Sequence, residues 1–242
     1  TALKGEPPLA FPPEVLDQAR VVRMQPVAGP SSIAFAAQQS SGTQPREGRS
    51  TPSGAISADA VADQLARALG EGRPVQFSAV RYPGIDAVGH YYLRYAEPRA
   101  FGDVSDDERQ RHGRVLEQYY TYLDGVIGEA MTALGPDDLL LIVSGFGMEP
   151  LSLGKRVLER IAGDPGLSGS HERAPDGFVI AYGRQVAKGS FPRASVVDIA
   201  PTVLYFLGLP IARDLDGFAR TDIFARSFTE RRPITFIPYY DR

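Results

Sequence analysis

Val75–Tyr92 reads VQFSAVRYPGIDAVGHYY, and the reading of this stretch decides the fold. An apolar run rich in β-branched and aromatic residues, Val75 to Tyr82, meets Pro83-Gly84, the pattern of a buried strand breaking into a loop. Asp86 and His90 follow beyond the expected carboxyl end of that strand, where open α/β sheets place their ligand sites. A carboxylate oxygen and an imidazole nitrogen converging there supply two of the three protein ligands of a zinc-type site. A second reading stays open for this segment alone, in which Asp86 caps the next helix and His90 packs against Tyr91 and Tyr92.

Working outward, the same architecture recurs downstream. Leu139 to Val143 is a continuous apolar run, as expected of a strand covered on both faces, and Ser144-Gly145-Phe146-Gly147 reads as a tight loop at its carboxyl end. Between the two expected strands, His112 opens a long helix to Ala133 with Val115, Leu116, Tyr119, Tyr122, Leu123, Val126, Ile127 and Ala130 as its buried stripe. His112 itself reads as a surface residue, since nothing near it has ligand character. Upstream, Ser57 is an N-cap with Asp59 in the first turn, and Val61, Leu65, Ala68 and Leu69 share one helical face. Downstream come a short helix from Lys155 to Ile161, a glycine-rich segment from Gly163 to Ser170 that delivers His171, a strand from Phe178 to Tyr182, and an apolar helix from Ser195 to Leu207.

Composition narrows the function classes. Over 242 residues, 43% hydrophobic and 23% charged content is that of a globular chain able to bury a sizeable core. Net charge is -3 and the basic residues form no run, so there is no nucleic-acid footprint. No apolar stretch approaches the roughly 20 residues of a membrane span. The lack of cysteine excludes disulfides, thiolate catalysis and Cys-ligated metal, and leaves the compartment open. Residues 1–56 are rich in Pro, Gly, Ser and Gln and read as an extended or mobile segment, with a short helix from Pro13 and a strand-like stretch Ala19–Met24. Arg46, Arg49, Ser50 and Thr51 there are read as solvated loop residues. The start at Thr1, without a methionine, points to a processed product or to a larger parent protein with an upstream part. Residues 57–242 are expected to form one α/β domain.

Five pieces in order, VRYPGIDAVGH, LLLIVSGFGM, GSHERAPDGFVIAYG, SVVDIAPTVLYFLGLP and RDLDGFAR, resemble the alkaline phosphatase superfamily in its type I phosphodiesterase/nucleotide pyrophosphatase branch. The resemblance covers about Pro74 to Arg220. It implies a mixed, mostly parallel sheet between helical layers, with two metal ions, usually zinc, bridging a phosphate at the carboxyl ends of the strands. By position, Asp86, His90 and His171 match the three protein ligands of one of those ions, a set of two nitrogens and one oxygen that leaves a coordination place open.

The departures matter as much. Where the family reads Ser-Asp-His-Gly, this chain has Ser144-Gly145-Phe146-Gly147, and neither glycine nor phenylalanine can bind an ion. The family's first strand and the Thr or Ser nucleophile after it have no evident counterpart, Thr51 being a poor substitute. The resemblance therefore implies a metal-dependent phosphoester hydrolase domain, acting on a phosphodiester or phosphomonoester, with one zinc at most and little activity by itself. The competing expectations are an inactive pseudo-phosphatase serving as a binding or regulatory module, and an α/β scaffold in which the histidines are structural.

Overall fold

The computed structural model describes residues 59, 60, 63, 66, 67 and 75–240. The expectations placed on residues 1–56, and on Ser57, Val61, Leu65, Ala68 and Leu69, lie outside them. The chain divides into two compact units, Thr1–Asp124 with Met148–Ala174, and Gly125–Gly147 with Pro175–Arg242.

In the first unit the deciding stretch folds differently from its expectation. Residues 75–82 form no strand, and Val75 and Phe77 are exposed. A strand needs a ladder partner for its N–H and C=O groups, and none is present for this run among the described residues. Pro83-Gly84, instead of breaking into a loop, opens helix α1 (Gly84–Ala96). Proline is suited to that place, because its fixed φ is helical and its missing N–H would have no partner in a first turn. Ile85, Val88 and Tyr92 recur at helical spacing and pack with Val115 and Tyr119 into the unit's core, which also takes in Leu116, Tyr122 and Leu123. The short helices α2 (Pro98–Phe101) and α3 (Asp106–His112) follow, and then α4 (Val115–Ala133), whose first half supplies that core. The long helix thus begins at Val115 and not at His112. His112 closes α3, half-buried, with its ring 4.9 Å from that of Tyr95 and 5.9 Å from that of Tyr92, so it is not a plain surface residue.

The first unit is completed by β2 (Glu149–Pro150), α5 (Leu153–Ala162) and β3 (Gly169–Ser170), with β2 and β3 antiparallel. On α5 the basic side is engaged within the unit: Lys155 pairs with Glu172, Arg160 with Asp103, and Arg156 bonds the carbonyls of Phe101 and Ala100. Its apolar residues Leu153, Val157, Leu158 and Ile161 are exposed.

The second unit holds β1 (Leu140–Phe146) and β4 (Asp176–Tyr182), paired antiparallel with Leu141 opposite Ala181. On one face Leu139, Leu141 and Ala181 pack against a cluster of Tyr205, Ile211, Ile223, Phe224 and Phe228. The other face leaves Phe178, Ile180 and Tyr182 exposed, so β1 is not covered on both sides as its apolar run suggests. Helix α6 (Ile199–Leu207), entered through a 3-10 turn at Val196–Asp198, carries Tyr205 of this core, α7 (Arg226–Thr229) carries Phe228, and Phe224 follows a 3-10 turn at Thr221–Ile223. A two-residue parallel pair, β5 (Ile211–Ala212) with β6 (Phe236–Ile237), ties the tail to it.

Helices with small sheets fit the expected α/β class. The mixed, mostly parallel sheet does not form among the described residues, where the sheets are two-stranded and chiefly antiparallel. Residues 75–82 form no strand, and β1 pairs antiparallel with β4 and has no parallel partner among the described residues.

Candidate metal centre

Asp86 and His90 stand one turn apart on α1, so their side chains leave the same face of the helix rather than a loop. The spacing of four that the sequence shows is a helical spacing. His171 directly follows β3, and its Nε2 lies 2.7 Å from Asp86 Oδ1. His90 Nε2 approaches the same oxygen at 3.6 Å. The two imidazole rings meet edge to face with centroids 4.8 Å apart. One donor atom from each of the three residues falls within 4.8 Å of the other two. The three residues singled out in the sequence are thus brought together.

What holds them is a strap of backbone contacts between the segment before His171 and α1. Ser168 N donates to the His90 carbonyl at 2.6 Å, and its hydroxyl donates to the same oxygen at 3.0 Å while accepting from Arg94 N at 3.4 Å. Ser168, 1% exposed, thus bonds both the carbonyl of His90 and the amide of Arg94, one turn further along α1, at the step that carries a candidate ligand. The next residue supplies the second tie, because Gly169 O lies 2.8 Å from His90 Nδ1. A carbonyl can only accept, so in the neutral ring the proton is on Nδ1 and the Nε2 lone pair faces Asp86. Glycine is required at this crossing: a Cβ on residue 169 would stand 2.8 Å from Gly89 O and 2.5 Å from Met148 Sδ. On the far side of His171, Arg173 N donates to Glu149 at 2.6 Å, and Glu172 pairs with Lys155.

These residues fit a divalent metal by the chemistry of the donor set. Two imidazole nitrogens and a carboxylate oxygen form a site with room for exogenous oxygen ligands, and an outer carbonyl on the distal nitrogen of a ligating histidine is the usual orienting partner. The Asp86 side chain is 45% exposed, which leaves the cluster open to solvent. His112 stands outside the cluster, in the Tyr92–Tyr95 aromatic group. Gly145 and Phe146 belong to β1, not to a tight loop, and offer no donor. Ser168 escaped the sequence reading, since nothing in Leu-Ser-Gly-Ser-His marks that serine as buried against a helix. Thr51 and its basic neighbours lie outside the described residues.

The family model for type I phosphodiesterase / nucleotide pyrophosphatase matches residues 29–200. The match begins upstream of Pro74, taking in part of the segment rich in Pro, Gly, Ser and Gln, and ends before RDLDGFAR. No curated protein and no solved structure matches the chain. With more than half of its length matched, and with Asp86, His90 and His171 inside the matched region, the chain belongs to the type I phosphodiesterase/nucleotide pyrophosphatase family of the alkaline phosphatase superfamily.

Proposed function

We propose that this chain is a phosphoester hydrolase-family domain that holds one divalent metal ion, zinc by the match of its donor set, through Asp86, His90 and His171. The observation that carries the reading is the convergence of these three donors within 4.8 Å. A divalent ion bound there would supply Lewis-acid polarisation of a phosphoryl oxygen. The chain's own residues do the positioning. The Gly169 carbonyl holds the His90 proton on Nδ1 and keeps Nε2 free to ligate, Asp86 brings the negative charge that offsets a cation, and Ser168 fixes the His171 segment to α1. Exposure on the Asp86 side gives a phosphate group access, and the substrate class that fits is a phosphodiester or phosphomonoester.

A second reading, a non-catalytic binding or regulatory module, is favoured by Gly145 and Phe146 at the places where the family resemblance calls for metal-binding Asp and His. In both readings the chain binds metal, so the deciding first experiment is stoichiometry. The purified chain, stripped with a chelator and titrated with zinc, should take up one ion. His90→Ala and His171→Ala should abolish uptake, and His112→Ala should retain it. Absence of zinc uptake by the wild-type chain under these conditions would overturn the proposal and leave the histidines a structural role.

A further inference from the structure

The helix that carries two of the three candidate ligands has no cap of its own. Its N-cap is Pro83, which provides no side-chain hydrogen bond to the first turn. The missing acceptor comes from far upstream: both carboxylate oxygens of Asp59 accept from Gly84 N, at 3.2 and 3.3 Å. Asp59 is in turn gripped by Tyr119 of α4, whose hydroxyl donates to Oδ2 at 2.5 Å. Asp59 and Tyr119 are both fully buried, and Gly84 is buried with them. The fit leaves no slack, because a Cβ at residue 84 would stand 1.8 Å from the Tyr119 hydroxyl and 2.8 Å from Asp59 Oδ2.

A buried carboxylate is costly unless its oxygens are satisfied, and an unsatisfied one costs more than the hydrogen bonds it makes. Asp59 therefore has one arrangement that works, with both donors in place. That arrangement sets the rotation of α1 about its axis as well as its position, since Gly84 N points along a fixed direction from the first turn. Rotation matters here in a way it does not for an ordinary core helix. Each residue of slip turns a helix face by about 100°, which would carry Asp86 and His90 away from His171 while leaving much of the apolar packing recoverable. Asp86 is two residues from the gripped amide and His90 one turn further on.

We propose that Asp59 and Tyr119 are positioning residues for the candidate metal centre: the buried pair fixes the rotation of α1 and thereby the aim of Asp86 and His90 toward His171. The inference rests on the metal-binding reading above. It makes Tyr119, which packs with Ile85, Val88 and Tyr92 on the core-facing side of α1, a determinant of metal geometry.

The test uses the full chain with zinc and with cobalt(II), whose visible spectrum reports ligand geometry. Tyr119→Phe removes one hydroxyl and keeps the ring. Asp59→Asn keeps the shape and one acceptor. Tyr82→Phe is the control, since it removes a comparable hydrogen bond, Tyr82 to Asp63 at 3.0 Å, without touching α1. All variants are read well below their melting transitions. Tyr119→Phe and Asp59→Asn should each weaken zinc binding about tenfold or more, the usual effect of losing an orienting partner, and should alter the cobalt spectrum. The double variant should be little worse than either single one, because the pair acts as a unit. Tyr82→Phe should bind as wild type. If the positioning variants fold, bind zinc and show the wild-type cobalt spectrum with only a lowered Tm, the pair is merely structural and the inference is overturned. Should Tyr119→Phe fail to fold, Asp59→Asn reads the same quantity. Failure of the wild-type chain to bind either metal sinks the metal reading itself, a result distinct from normal binding by the variants.

Discussion

Gly169 and Gly128 show how one residue type can carry opposite consequences. At 169 an added methyl would run into Gly89 O, part of the α1 backbone, and into the Met148 thioether. The helix carbonyl cannot retreat without disturbing the strap at His90, so Gly169→Ala should destabilise by roughly 1–3 kcal/mol, the range of overpacked sites, and should weaken zinc uptake as well. At 128, inside α4, a Cβ meets nothing within 4 Å. There Gly128→Ala should gain about 0.5–1 kcal/mol from reduced backbone freedom in the unfolded chain. Urea midpoints of the two variants check both signs. His112 gives a pH dependence at the same scale. Burial depresses its pKa first and the neighbouring Arg111 adds to this, with Glu108 opposing. A depressed imidazole favours the neutral form in the folded state, so its contribution is present above the unfolded value of about 6.5 and is lost as pH falls below it. Wild-type Tm should therefore drop between pH 7.5 and 5.5, and His112→Gln should flatten part of that drop. A variant with an unchanged pH slope would remove His112 as the cause.

At the scale of elements, local periodicity was readable and partnership was not. The α4 stripe from Val115 through Leu123 packs as its spacing indicates, and the α6 segment forms where the apolar run and Pro201 place it. The β4 strand and the segment delivering His171 also lie where the sequence puts them. The stretch at 75–92 failed for a reason that is not local: whether Val75–Tyr82 becomes a strand depends on a partner elsewhere in the chain, while Ile85, Val88 and Tyr92 already carried a helical period that the preceding apolar run obscured. Asp59 was legible as a helix residue but not as the distant acceptor for α1, since no feature of a sequence links residues 59, 84 and 119. The helix α3 illustrates the complementary case, an element with no buried residue, whose start is fixed by local chemistry. Ser105 Oγ accepts from Glu108 N at 3.3 Å while Glu108 Oε2 accepts from Ser105 N at 2.9 Å, a reciprocal capping box. Ser105→Ala should cost about 1 kcal/mol, and it should appear as faster amide exchange confined to residues 105–112 rather than as loss of the α1–α4 core. A drop in protection throughout the first unit would show that α3 is coupled to that core more tightly than its exposure indicates.

For the whole molecule, family membership and catalytic competence separate. The candidate ligands Asp86, His90 and His171 are held in the first unit by α1 and the β3 segment, whereas Gly145 and Phe146 stand within β1 of the second unit, without donors. The resemblance to the family implies a covalent route in which a Thr or Ser nucleophile is activated by a second ion, and an unactivated hydroxyl is a weak nucleophile at neutral pH. Zinc-loaded chain should therefore hydrolyse p-nitrophenyl phosphate and bis-p-nitrophenyl phosphate at rates close to the protein-free background with zinc alone, while still binding inorganic phosphate more tightly than the zinc-free chain does. The family match reaching back to residue 29 gives this expectation a sharp control, since it takes in Thr51. Turnover well above background that disappears in Thr51→Ala would assign that residue the nucleophile's part and overturn the argument from the missing donors. If turnover is absent, Gly145→Asp with Phe146→His asks whether those donors are what the chain lacks. The first replacement enters open space, because a Cβ at 145 meets nothing within 4 Å. A rise in zinc uptake above one ion per chain is the expected result, provided the rest of the second site is present. A second ion taken up without any hydrolysis would place the deficit in the nucleophile instead.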